Sequence, residues 1–281
     1  GASGGSLYRH PGMPPLVGVL DFDESPKFYE PIVAPVPVRC FNLEKTTKHA
    51  VRPIKDDPLP PQIRDVVVAL VWHTITVSKE LIEGMPNLKL VVRIGAGYDN
   101  VDLKCCERRG ITVCNVPDYG TEEVADSALS HILNMLRRTA WQANRVRDGV
   151  WEPRADGAQR VRGKRLGILG LGRIGKATAC RAKAFGMCVL FYDPYRPDGE
   201  DKALGITRVD TLEGFLRQID VLSIHCDLNE GTRHIIKSTT IRMLKRGSFV
   251  VNTARGGIIE IQALVAALQD GHVAGAGIDV L

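Results

Sequence analysis

Short apolar runs alternate with polar, helix-forming stretches along the first part of the chain. The runs with the length of a buried strand are Leu16–Leu20, Val66–Trp72, Lys89–Ile94 and Ile111–Cys114. Between them, Ser78 is placed to cap a helix at Lys79–Gly84, and a second helix is predicted at Val101–Arg109. Strands that alternate with helices pair in parallel through right-handed crossovers. Residues 15–118 are therefore predicted to form one α/β domain.

Two stretches in this part depart from the alternation. Residues 1–14 begin with a Gly/Ser/Ala-rich sequence that has no charged region with an apolar segment behind it, which predicts a flexible leader and not a signal peptide. Pro31–Pro61 is rich in proline and charge, and it is predicted to be a loop with one strand at Val38–Leu43.

A different pattern begins at Thr121. The sequence Thr-Glu-Glu-Val is of the kind that caps a helix, and apolar residues then recur at helical spacing as far as Leu136. This pattern predicts a single helix of about seven turns that reaches Arg147. A helix of that length suits a bridge between domains or an oligomer interface. The segment Asp148–Gly163 after it is predicted to be a loop.

The alternation of strands and helices restarts at Leu166. The predicted strands are Leu166–Leu169, Cys188–Tyr192, Val221–His225, Phe249–Asn252 and Ala276–Val280. The helix after the first strand is predicted to end at Phe185, with Gly186 as the left-handed residue that follows it. Residues 119–281 are therefore predicted to form a second, doubly wound α/β domain.

Composition narrows the class of protein. Hydrophobic residues make up 44% and charged residues 25%, which argues against a wholly disordered chain. The longest apolar run is far below the roughly 18 residues needed to span a membrane. The seven cysteines form no C-x-x-C pair and no zinc spacing, so no metal site and a reducing compartment are predicted.

The net charge of +5 is mild, and it gives no case for direct nucleic-acid binding. The densest basic stretch contains Arg160, Arg162, Lys164 and Arg165. A solvated linker is the preferred interpretation of this stretch, with a polyanion site or a localisation signal as alternatives.

A glycine fingerprint follows the strand at Leu166–Leu169. Gly170, Gly172 and Gly175 have the G-x-G-x-x-G spacing, with Arg173 and Ile174 opening the next helix. In this pattern the first glycine allows a tight turn, the second lets backbone approach a pyrophosphate, and the third lets helix pack on strand.

Asp193 follows the next strand, 23 residues after the first glycine, and is placed to bind the adenosine ribose. Its charge favours NAD over NADP, although Arg196 lies close enough to weaken that preference.

Arg255 is the candidate for binding a substrate. It lies just past the carboxyl end of a predicted strand, where doubly wound sheets bind ligands, and its guanidinium can hold a carboxylate. None of the seven histidines has an obvious carboxylate partner for acid–base catalysis. His225 is predicted to pack or contact the cofactor, His131 to be a buried packing residue, and His73 to be a candidate for lining a cleft.

The glycine fingerprint with Asp193, together with the sequence Asn-Thr-Ala-Arg-Gly-Gly at 252–257, resembles the D-isomer-specific 2-hydroxyacid dehydrogenase family. The resemblance extends from about Pro15 to the last residue and is weakest at Pro31–Pro61. Several stretches resemble the C-terminal binding protein (CtBP) transcriptional corepressors within that family: Trp72–Thr76, Val92–Asn100, Cys114–Pro117, Glu122–Asp126, Arg137–Thr139, Arg181–Gly186 and Phe191–Tyr195.

The resemblance implies a Rossmann NAD-binding domain at 119–281 and a flavodoxin-like outer domain at 15–118. It makes Arg255 the catalytic residue that contacts the substrate carboxylate. The substrate-binding residues expected are Arg93, Ala96, Gly97 and His73. The cofactor-binding residues expected are Gly170, Gly172, Arg173, Ile174, Gly175, Asp193, Val124, Cys226, Asn229, Ala254 and Asp279.

The resemblance to CtBP proteins also implies partners. These corepressors are dimers favoured by NAD(H), and they recruit transcription factors and chromatin-modifying proteins through Pro-x-Asp-Leu-Ser motifs that bind the outer domain. A nuclear location is expected, with the cytoplasm as an open alternative. The competing hypotheses are a metabolic 2-hydroxyacid dehydrogenase and an NAD-binding domain used only for assembly.

The printed chain departs from the family pattern at its end. Family members continue past the strand that contains Gly277–Val280 into segments with a catalytic glutamate and a catalytic histidine, and then into a closing segment. The printed sequence stops at Leu281. As printed, it is expected to be a fragment or a divergent product, and not to reduce a 2-keto acid. The loop after Gly257, with Glu260 before Ile261, is also expected to differ.

Overall fold

The structure, a computed structural model, describes residues 15–20, 37–41, 43, 59–152 and 157–281. The chain divides into two compact units, Gly1–Tyr119 and Gly120–Leu281. The boundary predicted from the sequence lies one residue earlier. The predicted leader at 1–14 and most of the Pro31–Pro61 loop lie outside the described residues.

The first unit contains one parallel sheet. Its strands are β1 (Leu16–Val19), β2 (Val38–Cys40), β3 (Val66–Val71), β4 (Leu90–Arg93) and β5 (Thr112–Asn115). Its helices are α1 (Lys79–Gly84) and α2 (Leu103–Arg108), with a 3₁₀ turn at Pro61–Asp65. The order β2-β1-β3-β4-β5 is the 2-1-3-4-5 order of flavodoxin-like sheets, which confirms the predicted class of this unit.

Side-chain caps begin both helices of the first unit. The Ser78 hydroxyl accepts a hydrogen bond from the Leu81 N–H at 3.4 Å, as the sequence predicts. The Asp102 carboxylate accepts from the Cys105 N–H at 2.8 Å. Since each cap satisfies an N–H that the first turn leaves without a partner, both short helices begin at defined residues.

The second unit contains a larger parallel sheet. Its strands are β6 (Arg165–Leu169), β7 (Cys188–Tyr192), β8 (Thr207–Arg208), β9 (Val221–Ile224), β10 (Ser248–Asn252) and β11 (Val273–Ile278). Its helices are α3 (Thr121–Arg137), α4 (Thr139–Arg147), α5 (Arg173–Ala184), α6 (Glu200–Leu204), α7 (Leu212–Leu216), α8 (Ser238–Ile241) and α9 (Ile261–Gln269), with a 3₁₀ turn at Gly256–Ile258. The order β11-β10-β9-β6-β7-β8 is the doubly wound 3-2-1-4-5-6 order, so the predicted Rossmann fold is confirmed.

Hydrophobic side chains cover both faces of this second sheet. On one face Ile132 and Ala179, from α3 and α5, pack with Ile168 in one buried cluster. On the other face Phe215 and Leu264, from α7 and α9, belong to a second cluster. Every residue of β9 and β10 is buried, as expected for central strands covered on both sides.

The predicted single helix from Thr121 to Arg147 is wrong, because the backbone breaks at Arg138. That residue has φ 55° and ψ 34°, in the left-handed region, and it separates α3 from α4. The Asn134 side-chain oxygen accepts from the Ala140 N–H at 2.8 Å, which caps the start of α4. The Arg138 guanidinium lies 4.3 Å from the centre of the Trp141 ring, a cation–π contact that offsets part of the strain.

Two smaller expectations also change. Gly120 is the N-cap of α3 and Thr121 its first residue, so the capping pattern read at Thr121 is shifted by one. The last strand begins at Val273, before the predicted Ala276, and it includes a run of small residues. At Gly277 a Cβ atom would lie 2.7 Å from the Cβ of His131, so a small residue is needed for α3 to pack there.

Among the described residues, no helix is both long and apolar enough to cross a membrane.

Candidate functional site

The topology of the second sheet defines a crevice between β6 and β9. The chain runs from β6 to β7 on one side and returns to β9 on the other side, so the strand order reverses between these two neighbours. In open α/β sheets, ligands bind outside the carboxyl ends of the strands at such a switch point. The segments that leave β6 and β9 there begin with Gly170 and His225, and the His225 N–H donates to the Leu169 carbonyl at 2.8 Å.

Two of the three fingerprint glycines are required by the protein's own packing. Gly170 has φ 93°, and a Cβ there would lie 2.6 Å from the backbone nitrogen of Cys226. A Cβ at Gly175 would lie 2.3 Å from the Gly170 carbonyl oxygen, so its absence lets α5 pack on the strand. These roles are the ones that the fingerprint assigns to the first and third glycines.

Gly172 differs from the other two glycines. Its backbone, with φ −76° and ψ −163°, suits any residue, and a Cβ there would meet no heavy atom of the described residues within 4 Å. The fold itself therefore places no demand for glycine at this position. Open space beside the backbone is what the approach of a pyrophosphate requires, so the middle glycine fits a dinucleotide.

The N-terminus of α5 adds an electrostatic preference for an anion. The helix begins at Arg173, has Gly172 as its N-cap without a side-chain cap, and carries no acidic residue in its first turn. Helix geometry directs the first N–H groups and the positive end of the dipole towards this point. A phosphate group next to Gly172 would thus be stabilised by backbone alone. Arg173 is exposed and Ile174 half-buried.

Asp193 performs a structural task that its sequence position does not reveal. One carboxylate oxygen accepts from the Leu171 N–H at 2.8 Å, and the other accepts from the Tyr195 N–H at 3.0 Å. The Arg196 Nε lies 3.3 Å from the oxygen that binds Leu171, and only 10% of the Asp193 side chain is exposed. The carboxylate therefore supports the glycine loop while it keeps acceptor capacity for a ribose hydroxyl.

Substituting Asp193 with asparagine tests its part in cofactor choice. Asparagine keeps one acceptor for the loop but loses the negative charge that opposes a 2′-phosphate, and it releases the Arg196 guanidinium. The ratio of the dissociation constants for NADPH and NADH is expected to fall about tenfold, about 1.4 kcal/mol, by fluorescence titration. Adding Arg196→Gln should reverse much of this gain, and an unchanged ratio in the single variant would show that Asp193 does not face the ribose.

His225 and Cys226 line the crevice as neutral groups. Burial lowers the pKa of His225 to about 4 and raises the pKa of the Cys226 thiol to about 12. The His225 Nε2 is 2.8 Å from the Ser223 hydroxyl, within the same strand segment. A neutral imidazole that is hydrogen-bonded to its own strand suits packing or contact with a cofactor, in line with the sequence-based prediction for His225.

The Arg255 loop depends on a residue that sequence reasoning did not single out. Asn252 is 1% exposed; its amide nitrogen donates to the Arg255 carbonyl at 2.9 Å and its amide oxygen accepts from the Ala254 N–H at 3.1 Å. The Asn252 carbonyl also accepts from the Asp279 N–H at 3.0 Å. One side chain thus orders the turn that carries Arg255. The sequence signal that could have identified this role is an asparagine at the end of a buried strand, because asparagine side chains often hydrogen-bond to the backbone of a turn.

The structure brings three of the predicted residues together through Asn252, namely Ala254, Arg255 and Asp279. Arg255 is half-buried, and its Nη1 donates to the Ala254 carbonyl at 2.7 Å. Asn229 lies in the loop after β9, where its side chain accepts from the Gly231 N–H at 2.9 Å. Val124 is a half-buried residue in the first turn of α3. Contact of these residues with a cofactor stays a prediction.

The predicted substrate residues lie at the carboxyl ends of strands in the first unit. Arg93, at the end of β4, is 5% exposed, and its Nη1 donates to the Ile94 carbonyl at 2.6 Å. Ala96 is half-buried, as is Gly97, and the Ala96 carbonyl accepts from the Asn115 side chain at 2.8 Å. His73 is exposed at a bend after β3. Their role towards a substrate stays a prediction.

Within the described ranges, no three His, Cys, Asp or Glu side chains cluster in a way that could hold a metal ion.

A doubly wound sheet, a glycine loop with space beside its middle glycine, and an acid after the second strand define a dinucleotide-binding protein. Residues 129–281 match the model of the D-isomer specific 2-hydroxyacid dehydrogenase NAD binding domain. The chain belongs to the D-isomer specific 2-hydroxyacid dehydrogenase family, and its second unit is the NAD-binding domain of that family.

Two relatives of the chain carry names of different kinds. C-terminal-binding protein 1 of Caenorhabditis elegans is 45% identical over 225 residues, 78% of this chain. The chain spans about a third of that protein, 31% of its length. Glyoxylate reductase of Korarchaeum cryptofilum is 37% identical over 249 residues, covering 85% of this chain and 75% of the enzyme.

A solved structure supports the same family. The D-lactate dehydrogenase of Aquifex aeolicus, complexed with NAD and lactic acid, superposes with a TM-score of 0.85 at 28% identity. The match covers 95% of this chain and 77% of the enzyme. Both parallel sheets of this chain therefore have counterparts in a solved dehydrogenase.

Proposed function

We propose that this chain is a CtBP-like transcriptional corepressor, an NAD(H)-binding scaffold that forms a homodimer and acts in the nucleus. Its partners are transcription factors with Pro-x-Asp-Leu-Ser motifs and chromatin-modifying proteins, which bind the first unit. The observation that carries the proposal is the 45% identity to C-terminal-binding protein 1, higher than the 37% to glyoxylate reductase. Any reduction of 2-keto acids is weak or incidental in this proposal.

The residues of the second unit supply the cofactor dependence. Gly172 leaves room for the pyrophosphate, and the N-terminus of α5 stabilises its charge. Asp193 binds the adenosine ribose while it supports the loop through Leu171. Because binding of the cofactor stabilises the loop around Gly170, NAD(H) would favour the folded, assembly-competent form of this unit.

A metabolic NAD-dependent dehydrogenase is the second candidate. It is favoured by the hydrogen bond through which Asn252 fixes the turn that carries Arg255. NAD, when bound, accepts or supplies a hydride. Arg255 is the catalytic residue in this alternative, since its guanidinium can hold the carboxylate of a 2-keto acid beside the nicotinamide. In this alternative the resemblance to the family implies that the general acid is a histidine paired with a glutamate, both of which family members carry after the strand that corresponds to β11.

Binding of a labelled Pro-x-Asp-Leu-Ser peptide, followed by fluorescence anisotropy with NADH titrated in parallel, tests the proposal. We expect saturable binding that a peptide with Asp-Leu changed to Ala-Ser abolishes. Gly172→Ala serves as the matched variant, because it should bind the cofactor more weakly while the first unit is unchanged. Intact NADH binding without peptide binding would reject the corepressor and favour the dehydrogenase.

A further inference from the structure

The basic stretch that the cofactor site leaves unused forms part of a surface at the amino ends of β6 and β7. We define the basic surface as Arg160, Arg162, Lys164, Arg165 and Lys183, with Phe185 among them. All are exposed except Lys164, which is half-buried. Phe185, the C-cap of α5, exposes 47% of its surface. The ring of Phe185 beside these cations offers a partner an apolar contact next to positive charge.

Backbone contacts hold these residues next to one another. The Gly163 N–H donates to the Gly186 carbonyl at 2.8 Å, and the Cys188 N–H donates to the Lys164 carbonyl at 2.9 Å. A Cβ at Gly186 would lie 3.0 Å from the Cγ of Arg162, so the arginine stem crosses over the residue that follows Phe185. The segment before β6 and the end of α5 therefore share one surface.

The cations of the basic surface form no ion pair among the described residues, although the Asp220 carboxylate lies close enough to Lys164 to interact with it electrostatically. Lys183 donates to the Leu204 carbonyl, and none of the other four forms an ion pair within the part of the chain that the structure describes. Other basic residues of this unit are paired, as Lys245 is with Asp220 at 2.8 Å. Cations near a helix C-terminus are stabilised by the dipole, so Arg162 and Lys183 remain there without an internal anion.

The extent of the surface favours a short segment over a long polyanion. Asp220 limits the surface on the β9 side, where its carboxylate accepts from the Arg165 N–H at 2.8 Å. Burial opposes its ionisation, but that hydrogen bond and the Lys245 ammonium outweigh it and lower the pKa of Asp220, so it stays charged. Any anionic ligand that continued past β6 would meet this negative charge, so the surface suits a short acidic segment better than a long polyanion.

We propose that the basic surface binds a short acidic peptide segment of a partner protein, with a large apolar side chain of that segment packed on Phe185. The guanidinium groups of Arg162 and Arg165 would hold carboxylates, and the ring would supply the apolar contact. Acidic segments with interspersed apolar residues are a recurrent class of disordered recognition sequence. This surface is separate from the cofactor crevice, which lies at the carboxyl ends of the same strands, and the proposal is independent of the corepressor function.

Anisotropy with a fluorescein-labelled peptide, Asp-Glu-Asp-Leu-Phe-Asp-Glu-Asp, tests this proposal on the full chain. We expect saturable binding that Arg162→Glu with Arg165→Glu weakens at least about tenfold, and that Phe185→Ser weakens about threefold or more. The matched control, Lys202→Glu with Lys237→Glu, changes two exposed lysines of the same unit and should leave the affinity unchanged. If the glutamate variant does not fold, Arg162→Gln with Arg165→Gln replaces it.

Three results would overturn the proposal. The first is no binding of the peptide to the parent chain at low ionic strength. The second is equal weakening by the control variant, which would mean unspecific attraction to net positive charge. The third is tighter binding of a single-stranded or duplex oligonucleotide that the same arginine substitutions abolish, which would assign the surface to nucleic acid.

Discussion

Replacing Gly172 with alanine is expected to weaken NADH binding by at least about tenfold, about 1.4 kcal/mol, with little change in stability. The added Cβ meets no described atom within 4 Å, and the backbone there suits alanine. The methyl group would occupy the space that a pyrophosphate needs next to the N-terminus of α5. Titration of NADH fluorescence and thermal unfolding without cofactor measure the two quantities on one preparation.

Gly175→Ala is the contrasting variant within the same loop. Its Cβ would lie 2.3 Å from the Gly170 carbonyl oxygen, so we expect a lower unfolding temperature before any cofactor is added. The two variants thus separate a glycine needed by a ligand from a glycine needed by the fold. Parent-like NADH affinity in Gly172→Ala would remove the argument for a pyrophosphate at that point.

Acidification is expected to destabilise the second unit through His225. The imidazole has a pKa of about 4 in the folded chain and the ordinary 6.5 in the unfolded chain, because burial disfavours its charged form. Between these values the unfolded state binds more protons, so stability falls as the pH decreases from above 6.5 towards 4. The full difference corresponds to roughly 3 kcal/mol, large beside the 5–15 kcal/mol typical of domains.

The variant His225→Gln isolates this contribution. Glutamine can keep a hydrogen bond to the Ser223 hydroxyl but does not titrate, so urea unfolding should depend less steeply on pH between about 6.5 and 4.5. His73→Gln, at an exposed position of the first unit, should retain the parent's slope. Equal slopes in the parent and His225→Gln would mean that carboxylates alone cause the acid sensitivity.

Local patterns were sufficient for the cofactor loop because its geometry is encoded within a short segment. Gly170 and Gly175 are demanded by a turn and by a helix contact inside about six residues, and the sequence shows both. Gly186, with φ 74°, closes α5 for the same reason: the Met187 N–H returns to the Ala182 carbonyl at 3.2 Å. The doubly wound class followed from the alternation of elements, and the Rossmann and flavodoxin-like domains followed from the family resemblance.

Features that depend on long-range contacts or on the contacts of a single residue could not be predicted from the sequence. Hydrophobic periodicity does not report the break at Arg138, because the recurrent apolar residues end at Leu136 and α4 buries none of its residues. The break depends on one left-handed residue and on the Asn134 cap. The burial of His225 depends on strands that are distant along the chain. The role of Asn252 depends on a turn whose conformation only the folded loop defines.

The double task of Asp193 constrains any attempt to redesign this protein for NADP. A designer would normally replace the acid with a small or basic residue, but here that change also removes the acceptor for the Leu171 N–H. The required cation is already present in Arg196, 3.3 Å from the carboxylate. A practical library would therefore keep a short oxygen-bearing side chain at 193 and vary the neighbouring positions, so that the loop survives while the phosphate is accommodated.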